Sequence, residues 1–393
     1  MASAACADVS RRRDRVGWDI TLAYRKEYPN DPEPGDITPA YRKEYPNNPE
    51  PRSSAGLRQP HRPRHPLAHH MIGVMPDLTQ AMHTIVHQCL AIKRNEDVLV
   101  LVDEATAEIG EPLREEARRV GADAVLAVMD ERATDGTEPP PTLAAALAAS
   151  DVFIAPTSRS LSHTTARKLA TDGGVRGATM PGADADMLAR VMAVDFEQMA
   201  ARSRAVASLL DEGSTAHITC PRGSDATLDL TGRDAIADDG DLRAPGSFGN
   251  LPCGEGFVAP LSGEGRIVVA SLAPLGISDE PAALEMRDGR IVEARGGLGP
   301  EYLELLKKHG EAGTNLAELG VGTNDRARLS GKVLEDEKIL GTVHVAFGAS
   351  AGIGGTVSVP IHLDAVVLQA SLEVDGKAVL DEGRFVLGAA ATR

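Results

Sequence analysis

Short apolar runs alternate with amphipathic segments between residues 96 and 213. EDVLVLVD at 96–103 is a run of strand type, and the amphipathic helical segment after it stops at Gly121. The runs DAVLAVMD, DVFIAPT and GATMPG follow, each separated from the next by a helical segment. Strands that alternate with helices at this pitch predict a parallel sheet covered by helices on both faces.

The pattern changes after Gly213, where most segments are of β type. The turn sequences DGR at 288–290 and DGK at 375–377 lie between alternating runs, as in β-hairpins. Only Glu301–His309 has clear helical character. We therefore predict an α/β N-terminal domain with a parallel sheet over 75–213 and a β-rich (α+β) metal-binding catalytic domain over 214–393.

The first 74 residues are predicted to be a disordered, repeat-containing tail. Ten of the 25 prolines fall between Pro29 and Pro66, and DITLAYRKEYPNDPEPG from Asp19 is nearly repeated from Asp36. Two short copies are too few to stack into a solenoid. The repeat is either part of a disordered extension, with the true start at Met71 or Met75, or a tandem peptide that binds a partner.

Charge and hydropathy exclude several classes of partner. The formal net charge of −16 argues against nucleic acid. No run of eighteen apolar residues exists, so no membrane partner is expected. The four cysteines form neither a CxxC pair nor a dense framework, which favours the reducing cytoplasm over a disulfide scaffold.

The residue types best suited to metal binding lie between Ala317 and Asp364. His362 and Asp364 are two residues apart in a β segment, so their side chains project from one face. Buried histidines and carboxylates need partners, and a divalent cation can partner several at once. The candidate ligands are Glu255, in the turn-rich NLPCGEGF, together with Glu318, His344, His362 and Asp364.

Three other patterns carry less weight. His83 and His87 have helical metal-ligand spacing, but no third ligand is near in sequence. GASAGIGG at 348–355 is followed by a β segment, so it is not a dinucleotide-binding loop. His163 follows the third predicted strand, at the edge where parallel sheets bind ligands. It is either part of a helix-capping loop, or a substrate contact or proton donor.

Five separated motifs resemble the thermophilic aminopeptidase family of two-metal peptidases, aminopeptidases T and S. They are SLSHTTARKLA, NLPCGEGFVAP, AELGVGTNDRAR, LEDEKILGTVHVAFG and GIGGTVSVPIHLDAVV. The resemblance implies a homodimer with two divalent ions, Zn, Co or Mn. It matches the five candidate ligands to the family's positions and makes Glu337 a further ligand or catalytic base. We therefore expect a cytoplasmic metallo-aminopeptidase, a hydrolase acting on short peptides or related small molecules.

One departure weakens the peptidase assignment. The family has a Tyr seven residues after the histidine that matches His344, and this chain has Ala351 there. The superfamily also includes 2,5-dihydroxypyridine 5,6-dioxygenase, which holds one Fe(II) with two His and one Asp. In that enzyme a His matches Glu318, and an acid/base His matches His163. The alternatives are therefore an Fe(II) ring-cleaving dioxygenase and a non-catalytic metal-binding module.

Overall fold

The computed structural model describes residues 76–388. The predictions for the tail, including the repeat, lie outside the described residues. Within 76–388, no helix combines the length and the apolarity that crossing a membrane would require.

A five-stranded, fully parallel sheet forms between residues 97 and 250, and the sequence predicted its first four strands. Its order is β2-β1-β3-β4-β8, and β1, which lies between β2 and β3, is buried along nearly its whole length. The strands are β1 (Asp97–Asp103), β2 (Asp123–Met129), β3 (Val152–Ala155), β4 (Arg176–Thr179) and β8 (Phe248–Asn250). The last of these lies beyond residue 213, and the domain boundaries at 74 and 213 remain predictions.

Six α-helices lie between residues 79 and 212. Gly121 ends α2 in the left-handed region, at φ +92°, as the sequence predicted for this position. A π-helical turn at Thr84–Cys89 directly continues α1. The helices are α1 (Thr79–His83), α2 (Ala107–Val120), α3 (Pro141–Ala149), α4 (Thr165–Asp172), α5 (Ala185–Val191) and α6 (Phe196–Glu212).

A large antiparallel sheet makes up most of the remainder, so the predicted fold class is confirmed. Its order is β18-β17-β16-β5-β6-β10-β15-β14-β13-β9-β7, and β11 and β12 extend it beside β10. The strands are β5 (Thr215–Thr219), β6 (Asp225–Asp229), β7 (Ala235–Asp238), β9 (Glu255–Val258), β10 (Ser262–Leu272), β11 (Gly276–Arg287), β12 (Arg290–Arg295), β13 (Leu316–Gly322), β14 (Val343–Gly348), β15 (His362–Val367), β16 (Ser371–Val374), β17 (Lys377–Asp381) and β18 (Arg384–Phe385).

The helices in this half are short. They are α7 (Gly299–Lys307), where the sequence predicted 301–309, α8 (Gly310–Gly313) and α9 (Val333–Asp336). The long helix α6 packs against β9 at Gly256, where an added Cβ would lie 2.8 Å from Val206. This close packing fixes β9 and the residue before Gly256, Glu255.

Candidate metal centre

Four neighbouring strands, β15, β14, β13 and β9, bring the five predicted ligands together. Ala346 on β14 pairs with Glu318 on one side and Asp364 on the other. His344 and His362 each lie two residues along their strands from this row, so their side chains share its face. The antiparallel register therefore assembles side chains that are up to 109 residues apart in sequence, from Glu255 to Asp364.

Small residues leave space for these side chains above the sheet. Ala346 has only a methyl group between Glu318 and Asp364. Gly320 is the cross-strand partner of His344, and an added Cβ there would lie 2.0 Å from His344 Nε2. The glycine thus allows the imidazole of His344 to lean across β13 toward the carboxylates.

Glu318, His362 and Asp364 form what we call the outer half of the centre. His362 Nε2 lies 3.3 Å from Glu318 Oε2 and 3.7 Å from Asp364 Oδ1. Its Nδ1 donates to the carbonyl oxygen of Ala349 at 2.7 Å, which leaves Nε2 directed at the carboxylates. The His362 side chain is 28% exposed, so this half can be reached from solvent.

Glu255, Glu337, Lys338 and His344 form the inner half. His344 Nε2 lies 3.1 Å from Glu255 Oε2 and 3.2 Å from Glu318 Oε1, and the imidazole is fully buried. Glu318 thus contacts His362 through one oxygen and His344 through the other. Glu337, the predicted additional ligand or base, could share an ion with His344 and Asp364.

The segment EDEK at 335–338 positions the inner half, and each of its side chains has a different partner. Glu335 forms an ion pair with Arg190 of α5. Asp336 accepts hydrogen bonds from Ser271 Oγ and from the backbone of Ser330 and Gly331. These contacts fix α9, so that Glu337 and Lys338 are directed into the centre.

Lys338 and Asp238 belong to the centre as well, and the sequence did not indicate either of them. The Nζ of Lys338 donates to Glu255 and lies 2.8 Å from Glu337 and 3.3 Å from Asp238, and the residue is 1% exposed. In sequence, it follows three acidic residues and is typical of a solvated charge run. Asp238, on the outermost strand β7, was missed as well, since only the register of β7 with β9 brings it near.

Burial raises the pKa values of the carboxyl groups in the centre, and their histidine and lysine partners lower them. Burial raises the pKa of Glu337 to about 8 and that of Asp238 to about 7. Burial acts the same way on Glu318, but hydrogen bonds from His344 and His362 outweigh it and hold its pKa well below the usual range. The pKa of Lys338 is raised, because its carboxylate neighbours outweigh desolvation.

His163 lies in the loop between β3 and α4, as predicted, and its pKa is affected by His362 of the outer half. The side chain is exposed at its surface. Its pKa is lowered by partial desolvation and by the positive charges of His362 and Arg167. The preceding Ser162 is fixed by a hydrogen bond of 2.7 Å with Thr179, so the loop is held against the parallel sheet.

The structure also shows the surroundings of the pair His83 and His87 and of Ala351. Glu116 of α2 approaches the exposed pair His83 and His87 and lies 2.9 Å from His87, a third ligand that the sequence did not suggest. Glu116 is also paired with Arg119. Ala351 begins an exposed turn at Ala351–Ile353. Its methyl side chain cannot supply the phenolic hydroxyl of the aminopeptidase Tyr.

The residues of the centre fit a divalent cation. The ligand atoms of Glu318, His362 and Asp364 lie within 4.8 Å of one another, as do those of Glu255, Glu318 and His344. Carboxylate oxygen and imidazole nitrogen suit Fe, Mn, Co and Zn. Glu255 Oε2 has no well-directed hydrogen bond within residues 76–388, but it lies 3.1 Å from His344 Nε2, and its carboxylate is paired with Lys338.

The family model of 2,5-dihydroxypyridine 5,6-dioxygenase matches residues 77–387. The chain belongs to this family. A protein of that name from Pseudomonas putida KT2440 is 26% identical over 218 residues, which span 51% of this chain and 62% of the relative. The alignment thus covers less than two thirds of the relative's length.

Two solved structures share the fold. The 2,5-dihydroxypyridine dioxygenase of Pseudomonas putida KT2440 superposes with a TM-score of 0.68 at 22% identity, over 79% of this chain and 97% of the other. AmpT of Thermus thermophilus gives 0.59 at 19% identity, over 79% and 98%. Both proteins therefore share the fold of this chain.

The family corrects the predicted activity. A metallo-aminopeptidase, and with it the class of hydrolase and protease, is wrong, because the family model and the curated relative are both those of a dioxygenase. The error came from the ligand set. Glu255, Glu318 and His344 favoured a two-metal hydrolase, and the sequence did not show that Lys338 lies among them. The individual ligand assignments remain predictions.

Proposed function

We propose that the chain is a non-haem Fe(II) dioxygenase that opens the ring of a hydroxylated nitrogen heteroaromatic such as 2,5-dihydroxypyridine. The observation that carries the proposal is the outer half. Glu318, His362 and Asp364 converge on one face, are accessible from solvent on one side, and include a histidine whose second nitrogen is already bonded to Ala349. Histidines that bind metals almost always have such a support.

In this proposal Glu318, His362 and Asp364 hold the ion. A ferrous ion there would supply redox chemistry and open positions for O2 and the substrate. The set has one imidazole and two carboxylates, whereas the common facial triad has two imidazoles and one carboxylate. The additional negative charge favours retention of a divalent ion.

His163 is proposed to accept a proton from a substrate hydroxyl. Burial lowers the pKa of His163, which favours the neutral imidazole that a general base requires. The buried inner half lies on the opposite side of Glu318 and keeps bulk water away from that side of the ion. The substrate therefore approaches between His163 and His362.

The test is ring cleavage by protein reconstituted with Fe(II) under anaerobic conditions. On addition of 2,5-dihydroxypyridine and O2, we expect O2 uptake, loss of the aromatic absorbance and labelling of the product by ¹⁸O2. His362→Ala serves as the inactive control. Absence of O2 uptake by a protein that has bound its ferrous ion would refute the proposal.

Three further assignments are proposed with it. A cytoplasmic location is supported by Cys89, Cys220 and Cys253, which are free thiols. A small-molecule substrate without nucleic acid or membrane as a partner is supported by the net charge of −16. A homodimer is proposed from the family resemblance, and light scattering after gel filtration measures it.

A further inference from the structure

Lys338 occupies the position in the inner half where a cation is most needed. Three carboxylates surround its ammonium group, those of Asp238, Glu255 and Glu337, all within 3.3 Å. Lysine is almost never fully buried unless it is paired. Here it is 1% exposed, and these three acidic residues are its ion-pair partners. The lysine and the carboxylates thus stabilise one another.

The same carboxylates are those that a second metal ion would use. The inner half offers two candidate ligand groups, Glu255 with Glu318 and His344, and Glu337 with His344 and Asp364. Lys338 contacts a carboxylate of each group, Glu255 in the first and Glu337 in the second. An ion placed there would have to share these ligands with a fixed positive charge a few ångströms away.

The two histidines differ in the support that metal ligation requires. His362 donates from Nδ1 to Ala349, so its Nε2 is free to bind an ion. The Nδ1 of His344 is buried and has no hydrogen-bond partner in the described part of the chain. If Nε2 of His344 bound a metal, Nδ1 would carry a buried proton with no acceptor. If Nε2 instead carries the proton, it donates to Glu318.

The backbone of Lys338 is fixed on both sides. Its carbonyl accepts from Asn324 N at 2.9 Å, and its own N–H donates to Glu335 at 3.0 Å. Asp336, two residues before, is bonded to Ser271 and to Ser330. The backbone that carries the lysine is therefore fixed beside the centre.

We propose that Lys338 takes the place of a second metal ion, so that the centre holds a single ion, bound by Glu318, His362 and Asp364. His344 then acts as a hydrogen-bond donor that orients Glu318. The inference rests on the metal centre of the proposed function and is independent of its substrate and reaction. Lys338 is thus a specificity-determining residue for the number of ions.

The test counts ions in metal-loaded protein. Wild type and Lys338→Met are saturated with Mn(II), gel-filtered and analysed by mass spectrometry. We expect about one Mn per chain in the wild type and about two in Lys338→Met, which keeps the length of the side chain but lacks its charge. Electron paramagnetic resonance of the variant should show spin coupling between the two Mn(II) ions. Lys332→Met, at an exposed lysine paired with Asp184, should stay at about one.

Each result decides the proposal. About two ions in the wild type, or about one in a folded Lys338→Met protein, overturns it. Should the Met variant fail to fold, wild type and Lys338→Arg still decide, since about two ions in either refutes the proposal and about one in both supports it. One bound ion without ring cleavage would refute the proposed reaction alone. No bound ion would refute both.

Discussion

The two halves of the centre share Glu318 but satisfy their buried charges in different ways. The outer half has two carboxylates and a partly exposed histidine supported by Ala349, and no lysine or arginine is paired with it in the described chain. The inner half has carboxylates of the same kind, but its cation is a side chain, Lys338. Similar acidic residues on adjacent strands thus differ in the cation that balances their charge: the proposed metal ion in the outer half and Lys338 in the inner half.

This difference shows that a set of ligand-type residues does not by itself define a metal site. Buried carboxylates require a positive charge, and either an ion or a lysine can supply it. The number of metal ions then depends on the cations that the protein already contains. The pair His83 and His87 illustrates the same point, because Arg119 already neutralises their neighbour Glu116.

The largest expected effect tests the outer half directly. His362→Ala should lower the affinity of the centre for Fe(II) or Mn(II) by more than about 100-fold and abolish ring cleavage, because it removes the only imidazole proposed to bind the ion. His344→Gln should change the affinity by less than about tenfold, since it retains a hydrogen-bond donor. Metal titration measures both. Equal losses in the two variants would remove the distinction between the halves.

His163→Gln sharpens the contrast by testing which half faces the substrate. We expect kcat to fall about 100-fold, the usual loss for a general base, with metal content unchanged. The matched control is His217→Gln, at an exposed histidine paired with Asp225 on the second sheet. Steady-state kinetics of the Fe(II)-loaded proteins measure the effect. An unchanged kcat would exclude His163 from proton transfer.

Glu255→Gln tests whether the inner half is held together by its own lysine. Lys338 and His344 lower the pKa of Glu255 against the effect of burial, so the fold stabilises its charged form. Loss of that charge should reduce the free energy of unfolding of metal-free protein by about 3 kcal/mol. Urea denaturation measures this value. The exposed control Glu293→Gln should leave stability nearly unchanged.

The pH dependence of the same variant gives a second check. A carboxylate with a lowered pKa stabilises the fold above its ordinary value of 4.5 and loses this contribution as the pH falls through the folded pKa. The difference between wild type and Glu255→Gln should therefore shrink in acid. A difference that is constant from neutral to acidic pH would indicate a packing effect instead.

Tyr302→Phe should have the smallest effect. The buried Tyr302 hydroxyl donates to the carbonyl oxygen of Leu363 at 2.6 Å, between His362 and Asp364. Its removal should reduce the free energy of unfolding by about 1 kcal/mol and leave one ion bound. Denaturation and metal analysis measure the two quantities. Loss of the ion would mean that strand position matters more for the outer half than we infer.

Local sequence patterns were sufficient to predict the fold class and the location of the centre. Alternating apolar runs predicted the parallel sheet, and the spacing of His362 and Asp364 predicted their common face. The pattern could not reveal Lys338 or Asp238, because their role depends on the pairing of β7 with β9 and on the packing of α9. The peptidase assignment was wrong because it rested on motifs and ligand types that resemble the aminopeptidases, whose fold the dioxygenase shares.

The row formed by Glu318, Ala346 and Asp364 has a consequence for how the centre is made. Backbone hydrogen bonds between three strands set the spacing of these side chains, so folding of the sheet alone brings the proposed ligands together. A slip of one residue in β14 would turn its side chains to the opposite face. The sheet thus fixes the positions of the proposed ligands before any ion is bound.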